Sequence, residues 1–234
     1  MEIKEIKDLK NYLSPNWLLD DKQKIDKKFE ELAHFILEKT AIQKGDKLYF
    51  INDIEFYFYS DNHRDIITYP RNCKAGEWFF HPSGVDIALE SNVEMTVTSK
   101  GVRKAKLSNE AKFGGILIRG ISLVSPEEFE DEAKIKLDGP IKVMDTLFDK
   151  FDAFDKPNNL PKLIYDNTPR GTAKLKNNNG IRHNLLNKKK NPKDKVNSIM
   201  ENYTNNKDYA QKENLVSFFK HFLNAPYRFV LSDK

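Results

Sequence analysis

The sequence predicts an α+β fold, a single domain with a curved, mostly antiparallel sheet flanked by helices. Strand-like segments fill the first half of the chain, helical patterns follow, and a final strand-like segment at 227–231 is able to rejoin the sheet. The 234 residues, 39 % hydrophobic and 12 % aromatic, suffice for one well-packed core and are few for two. We therefore expect residues 1–234 to form one domain.

Apolar residues at helical spacing predict the helices. From Ile25 onward they recur at intervals of three and four residues, and Gly45 lies beyond the end of this pattern. The sequence Ser125-Pro126-Glu127-Glu128 offers an N-cap, a proline at the first helical position and acidic residues in the first turn. Further helices are expected over 141–151, opened by Gly139-Pro140, and over 207–223.

Alternating apolar and aromatic residues predict the strands. The longest runs from 47 to 59, with Asn52-Asp53 as a bend. Pro82 cannot donate to a ladder, so the break at 81–84 is expected at a bend or a sheet edge. The expected strands are 47–59, 76–80, 85–89, 93–97, 113–121 and 227–231.

Composition excludes several classes of protein. No run of eighteen apolar residues is present, and the N-terminal sequence MEIKEIKDLK has no apolar signal segment. Cys73 is the only cysteine, which excludes an internal disulfide and a thiolate metal cluster. We expect a cytoplasmic monomer with no membrane association.

The basic residues are concentrated in one part of the chain. Between Lys162 and Lys195 there are ten Lys and Arg residues against two Asp residues, while the whole chain carries a net charge of +4. This predicts that 155–195 is a basic, irregular insertion that is free to move, either an arm that contacts phosphates or a solvated linker. The expected nucleic-acid contacts are Arg71, Arg170, Lys174, Lys176, Arg182, Lys188, Lys189 and Lys190.

Residues 54–63, Ile-Glu-Phe-Tyr-Phe-Tyr-Ser-Asp-Asn-His, are the most informative stretch. Glu55 and Tyr57 are two positions apart, so on an extended strand both side chains face the same way. Tyr57, Tyr59 and His63 are able to stack on a purine. Glu55 is able to act on a water molecule, and together these residues indicate a base-binding pocket. The alternative is that this alternating aromatic strand belongs to the core.

Several landmarks occur in the order found in one enzyme family. From about residue 47 onward the chain resembles the alkyladenine (3-methyladenine, methylpurine) DNA glycosylases. Each landmark alone is a weak signal, whereas the ordered set is more specific for the fold. The landmarks are Glu55-Phe56-Tyr57, His63, Pro70-Arg71-Asn72, Trp78-Phe79-Phe80, Gly114-Gly115 before Leu117-Ile118-Arg119, Gly139-Pro140-Ile141-Lys142 and Pro226-Tyr227-Arg228-Phe229.

The resemblance implies hydrolysis of the N-glycosidic bond of a damaged purine that is rotated out of a nucleic acid, DNA rather than RNA. It implies that Glu55 is the general base and that Arg119 holds the same water and keeps Glu55 ionised. Tyr57 and His63 would sandwich the base, and Phe80 would form a third wall. A backbone carbonyl near Val230 would complete the water site, and neither a metal nor another cofactor is needed.

Two departures from the family leave other functions open. Ser83 stands where the family has a tyrosine that fills the gap left by the flipped nucleotide, and Glu90 falls near an asparagine used for base discrimination. The alternatives are a non-catalytic module that binds nucleic acid or a nucleobase, and a hydrolase of free nucleosides. Arg119 in an apolar strand also fits a plain structural ion pair with Glu55.

A metal site is a further alternative. The residue types that suit a divalent cation are present, but their spacing fixes no geometry, and we expect no metal. They are Asp61, His63, Asp65, His81 and Asp86.

Overall fold

The computed structural model describes residues 4–14, 21–101, 103–124, 136–151, 159–176, 191–204 and 212–232. Within these ranges, helices pack on an antiparallel sheet, which confirms the predicted α+β class. The helices are α1 (Ile6–Tyr12), α2 (Lys22–Lys39), α3 (Pro140–Leu147), α4 (Pro192–Met200) and α5 (Lys212–Leu223). The strands are β1 (Thr40–Lys44), β2 (Lys47–Ser60), β3 (His63–Arg64), β4 (Trp78–His81), β5 (Gly84–Ala88), β6 (Glu94–Val97), β7 (Arg103–Lys106), β8 (Phe113–Val124), β9 (Lys136–Asp138), β10 (Lys162–Tyr165), β11 (Ala173–Leu175) and β12 (Arg228–Leu231).

Ten of the described strands form the main sheet, whose central path runs β10-β1-β2-β8-β5-β4. β9 pairs with β8, β3 pairs with β2, and β12 lies between β2 and β11. β6 and β7 form a separate hairpin. The ladders of the main sheet are antiparallel. β2 is therefore the strand that joins the most distant parts of the chain.

β2 carries two kinds of surface. Its pairing with β8 shifts register around Asn52, where the sequence predicted a bend. Beyond this bulge the side chains alternate: Phe56 stacks on Phe29 of α2 with ring centroids 4.5 Å apart, whereas Glu55 and Tyr57 point the other way. We call the surface under α2 the helix face and the surface that carries Glu55 and Tyr57 the polar face.

α2 covers the helix face because its apolar residues recur on one side. Asp21 caps its N-terminus by accepting a hydrogen bond from the backbone of Lys24 at 3.0 Å. The helix passes directly into β1 at Thr40, so its packing on the sheet is fixed at both ends. Burial of each large side chain contributes about 1.5–3 kcal/mol. The buried residues of α2 are Ile25, Phe29, Leu32, Ala33, Phe35, Ile36 and Leu37.

Three predicted features differ in the structure. The segment expected to be irregular contains β10 and β11 and the start of α4, because β1 and β12 offer edges with which short segments pair. The helix opened by Pro140 ends at Leu147 rather than at 151. β7, which pairs with the predicted strand at 93–97, was not predicted because its residues are mostly charged. The helix expected to begin at Ser125 lies outside the described residues.

No helix within the described ranges is both long and apolar enough to cross a membrane.

Candidate active site on the polar face

A row of side chains crosses five neighbouring strands on the polar face. The register pairs Arg228 of β12 with Glu55 of β2, Glu55 with Leu117 of β8, Leu117 with Asp86 of β5, and Asp86 with Phe79 of β4. Residues in register on neighbouring antiparallel strands project from the same face, with strands about 5 Å apart. The polar face therefore brings together residues that lie far apart in the sequence.

Glu55 lies near the middle of this row and is 1 % exposed. Arg119, two residues after Leu117 on β8, donates from Nη1 to Glu55 Oε2 at 2.9 Å. The Arg119 side chain is 10 % exposed, so the pair is largely removed from solvent. A buried carboxylate needs such a partner, because an isolated charge away from water is costly.

A second ion pair stands beside the first. Asp53, two residues before Glu55, accepts from Arg228 Nε at 2.9 Å and from Arg228 Nη2 at 2.6 Å. Lys176 Nζ approaches Asp53 Oδ2 at 3.6 Å. Burial acts to lower the pKa of Arg228, but its hydrogen bonds to Asp53, with the nearby Glu55 and Tyr57, raise the pKa above the usual arginine value. Arg228 is thus held charged beside Glu55.

The other half of the row holds a buried network centred on Asp86, which is 1 % exposed. Arg71 Nη1 donates to Asp86 Oδ2 at 2.6 Å, and His81 Nε2 lies 2.9 Å from Asp86 Oδ1. The backbone N–H of Ser83 donates to His81 Nδ1 at 3.2 Å, so Nε2 carries the proton and donates to Asp86. Burial acts to raise the pKa of Asp86, yet Arg71 and His81 lower it below the usual aspartate range.

Gly115 makes room for this network. A Cβ atom at Gly115 would lie 2.4 Å from Arg71 Nη1 and 2.9 Å from Asp86 Oδ2, so the Arg71–Asp86 pair would have to shift to accommodate it. Arg71 therefore lies close over the backbone of β8, with its guanidinium 3.9 Å from the ring centroid of Phe79. The network fixes the chain around Arg71 and the turn at His81 onto the polar face.

Arg71 and Arg170 are not placed as the sequence predicted. Arg71 is 2 % exposed and pairs with Asp86, so it is not available to a phosphate. Arg170 pairs with Asp166, donates to the Thr40 carbonyl and lies over the Phe50 ring, with its side chain 4 % exposed. Both side chains stabilise the fold because a buried guanidinium requires acceptors.

Lys174 and Lys176 remain accessible on β11 and the residue after it. The other expected nucleic-acid contacts lie outside the described residues. They are Arg182, Lys188, Lys189 and Lys190.

His63 lies on the helix face, not beside Tyr57. Its ring packs against Phe58, Phe222 and Tyr227, and it is 1 % exposed. Nδ1 donates to the Phe58 carbonyl at 2.9 Å, and Nε2 accepts from the Tyr227 hydroxyl at 2.8 Å. The prediction that Tyr57 and His63 sandwich a base is therefore wrong for this structure, because the turn after β2 folds His63 back under α2 and α5.

Phe80 is also separated from Tyr57. Phe79 and His81 on either side of it belong to the polar face, so alternation along β4 directs Phe80 to the helix face. There it is 51 % exposed and meets Phe148 edge-on at 4.8 Å. Of the three expected stacking residues, Tyr57 therefore lies on the same face as Glu55, and His63 and Phe80 do not.

Sequence reasoning found Glu55, Arg119 and Tyr57, which the structure brings together. It did not assign a site role to Asp53 or Arg228, and it considered Asp86 and His81 only as part of an alternative metal site. A signal for Arg228 was present in the terminal Pro-x-Arg-Phe sequence, since β12 was expected to rejoin the sheet. Asp53 also gave a signal, because it stands two residues before Glu55 and strand alternation directs both side chains to the same face.

Two grooves of about 400 and 370 Å³ lie elsewhere, one beside Phe29 and Phe229 and the other beside His63 and Phe218. Neither is lined by Glu55. No group of three or more His, Cys, Asp or Glu residues in the described part of the chain is arranged to hold a metal ion.

Comparison with protein-family models, with curated proteins and with solved structures gave no match.

Proposed function

We propose that this protein hydrolyses the N-glycosidic bond of a purine in a nucleic acid, using a water molecule activated by Glu55. The observation that carries the proposal is the Glu55–Arg119 pair on the polar face, with Tyr57 two residues along the same strand. A carboxylate with its guanidinium partner and an adjacent aromatic ring are the groups that this reaction requires.

In the proposed reaction, one oxygen lone pair of water forms the bond to the anomeric carbon as the bond to the base nitrogen breaks. The sugar becomes cation-like, and the negative charge of Glu55 stabilises it. Glu55 takes one proton of the water, and the base leaves with the electron pair of the broken bond. Arg119 fixes the carboxylate, because its 2.9 Å contact holds Oε2 in one orientation.

The order of strands supports a methylpurine-DNA-glycosylase-like arrangement. β12 pairs with β2 on the side opposite β8, and Val230 stands in register with Asp53. Glu55 therefore lies between Arg119 and the terminal strand, as the resemblance to that family implies. The stacking site differs from the family's, since Tyr57 alone of the three expected rings lies on the polar face.

A binding module without catalysis is the second candidate. The observation that favours it is the 1 % exposure of Glu55, which leaves the carboxylate little access to water in this conformation. A protein that only binds would use Tyr57 for stacking and the lysines of β11 for phosphate contacts.

Base release separates the two candidates. Oligonucleotides that contain hypoxanthine, ethenoadenine or a methylpurine, single- and double-stranded, are incubated with the wild type, with Glu55→Gln and with Glu94→Gln. Glu94 is an exposed glutamate on the β6–β7 hairpin and serves as the matched control. We expect release by the wild type and by Glu94→Gln, and a loss of about 100-fold or more for Glu55→Gln.

Other outcomes reject the assignment. Release that survives Glu55→Gln contradicts the role of Glu55. Oligonucleotide binding without release, weakening steeply as salt rises, establishes the binding module. Release of base from free nucleosides, with little salt dependence, identifies a nucleoside hydrolase. Circular dichroism and thermal unfolding of each variant show that a lost activity is not a lost fold.

A further inference from the structure

The geometry points to a phosphate subsite on β11 and β12, formed by Lys176 and Arg228 with Lys174 at its outer end. The subsite rests on the proposed function in one respect: the sugar and base bound beside Glu55 and Tyr57 carry the phosphate that occupies it. The ligand chemistry is a nucleotide phosphate, as a free monophosphate or as a phosphate of a strand.

The register of β2, β12 and β11 places the cations on the same face as Glu55. The backbone N–H of Lys176 donates to the Arg228 carbonyl at 3.0 Å, and Arg228 pairs with Glu55. Lys176, Arg228 and Glu55 therefore extend the row on the polar face by one position. Lys174, two residues before Lys176, projects from the same face by strand alternation. Arg228 and Lys176 thus lead away from Glu55 along one row, and Lys174, in register with Val230, lies beside Lys176 in the row of Asp53.

The charges around Asp53 and Glu55 also favour an anion at this place. Asp53 is neutralised by the two hydrogen bonds of Arg228, and Glu55 by Arg119. Lys176, at 3.6 Å from Asp53 Oδ2, is a second cation on this carboxylate, and its side chain is 33 % exposed. Lys174 is exposed and has no ion-pair partner within the described ranges. Asp138, in register with Gly120 beside Asp53, is a third carboxylate of this cluster. With Lys174 included, the four cations exceed the three carboxylates by one positive charge.

The ammonium groups of Lys174 and Lys176 and the guanidinium of Arg228 are donors that suit a phosphate. The ammonium groups of lysines bind phosphate as mobile point charges, and a guanidinium held in place by a carboxylate keeps its remaining N–H groups directed outward. Arg228 is fixed in this way by Asp53, and its side chain is 22 % exposed. A phosphate between Lys176 and Arg228 would lie about one and a half strand spacings, roughly 7 Å, from the position of Glu55. Sugar and phosphate of one nucleotide are able to span this distance.

Binding measurements test the subsite without requiring turnover. Adenosine, adenosine 5′-monophosphate and a short single-stranded oligonucleotide are titrated into the wild type by calorimetry. We expect the two phosphate-bearing probes to bind at least about tenfold more tightly than adenosine, because a charged hydrogen bond contributes about 1.5–3 kcal/mol. Inorganic phosphate should compete with the monophosphate but not with adenosine.

Variants assign the effect to residues. Lys176→Gln should lower the affinity for both phosphate-bearing probes about tenfold and leave adenosine binding unchanged. Arg103→Gln, which removes an exposed arginine on the β6–β7 hairpin, is the matched control and should change neither. Arg228→Lys keeps the charge beside Asp53, so it should remain folded while losing the fork geometry and part of the phosphate affinity. A larger effect of Lys176→Gln on the oligonucleotide than on the monophosphate identifies a strand as the source, and the reverse identifies a free nucleotide.

Equal affinity of the wild type for adenosine and its monophosphate, or no effect of Lys176→Gln on either phosphate-bearing probe, overturns the subsite. Absence of binding by all probes overturns it as well. Base release that depends on Glu55 but not on Lys176 leaves the proposed reaction standing and removes the subsite. Phosphate binding that depends on Lys176 without base release keeps the subsite and removes the reaction.

Discussion

The two faces of β2 are built from alternate residues of one strand, yet they differ in chemistry. On the helix face, Phe56 stacks between α2 and the terminal strand, meeting Phe29 at 4.5 Å and Phe229 edge-on at 5.7 Å. On the polar face, Glu55 and its neighbours form paired charges. The difference teaches that the aromatic residues of 54–63 fall into two groups: Phe56, Phe58, Tyr59 and His63 are buried and stabilise the fold, whereas Tyr57 is only half-buried.

The largest expected effect is on the helix face. Phe56→Ala should lower the free energy of unfolding by about 3–5 kcal/mol, because Phe56 is fully buried and the cavity cannot collapse against α2. Tyr57→Ala, one residue away, should cost less than half as much, since Tyr57 is only half-buried. Urea unfolding of the two variants measures both. Equal losses would contradict the division of β2 into two faces.

A smaller effect is expected at Asp86, and it depends on pH. At neutral pH, Asp86→Asn should cost about 3 kcal/mol, because Arg71 remains buried without its carboxylate. The folded protein lowers the pKa of Asp86, so the native state holds fewer protons than the unfolded state. The stabilisation is therefore present above the unfolded aspartate pKa of about 4 and is lost as the pH falls through the folded value.

Urea unfolding between pH 7 and pH 3 measures this dependence. The wild type should lose stability towards pH 3 more steeply than Asp86→Asn, so that the two approach each other in acid. Parallel curves would show that Asp86 is not the titrating group. Glu94→Gln, at an exposed site, should follow the wild type.

The smallest expected effect concerns His63. Tyr227→Phe removes the hydroxyl that donates to His63 Nε2 and should cost about 0.5–1.5 kcal/mol of stability. Base release should not change, since both residues lie on the helix face. If Tyr227→Phe had wild-type stability but released less base, His63 would contribute to the reaction, and the two faces would not be functionally separate.

Much of the fold follows from local patterns. β2 and β8 are long runs of apolar and aromatic residues, α2 has an apolar side, and the turn at Pro82 follows β4, the last strand of the central path. The strands that sequence reasoning missed are short and polar. β10 and β11 are strands because β1 and β12 offer them backbone partners, and such a partner is set by the tertiary structure rather than by local propensity.

The site was predictable where it depends on strand alternation and not where it depends on a turn. Glu55, Tyr57 and Arg119 lie in long strands, so their relative directions follow from a period of two. The direction of His63 is decided by the turn at Asp61-Asn62, and the bulge at Asn52 interrupts the alternation for the residues of β2 that precede Asp53. One residue of slippage in either place moves a side chain to the opposite face.

The position of β12 between β2 and β11 also sets when the site is assembled. Glu55 and Arg228 are separated by most of the chain, and at a synthesis rate of about 5–20 residues per second β12 follows β2 by roughly 10–35 s. Until β12 arrives, the edge of β2 that carries Asp53 lacks the strand that covers it. The two sides of the carboxylate cluster are thus synthesised at separate times, and the ion pair between Asp53 and Arg228 forms only after β12 has been made.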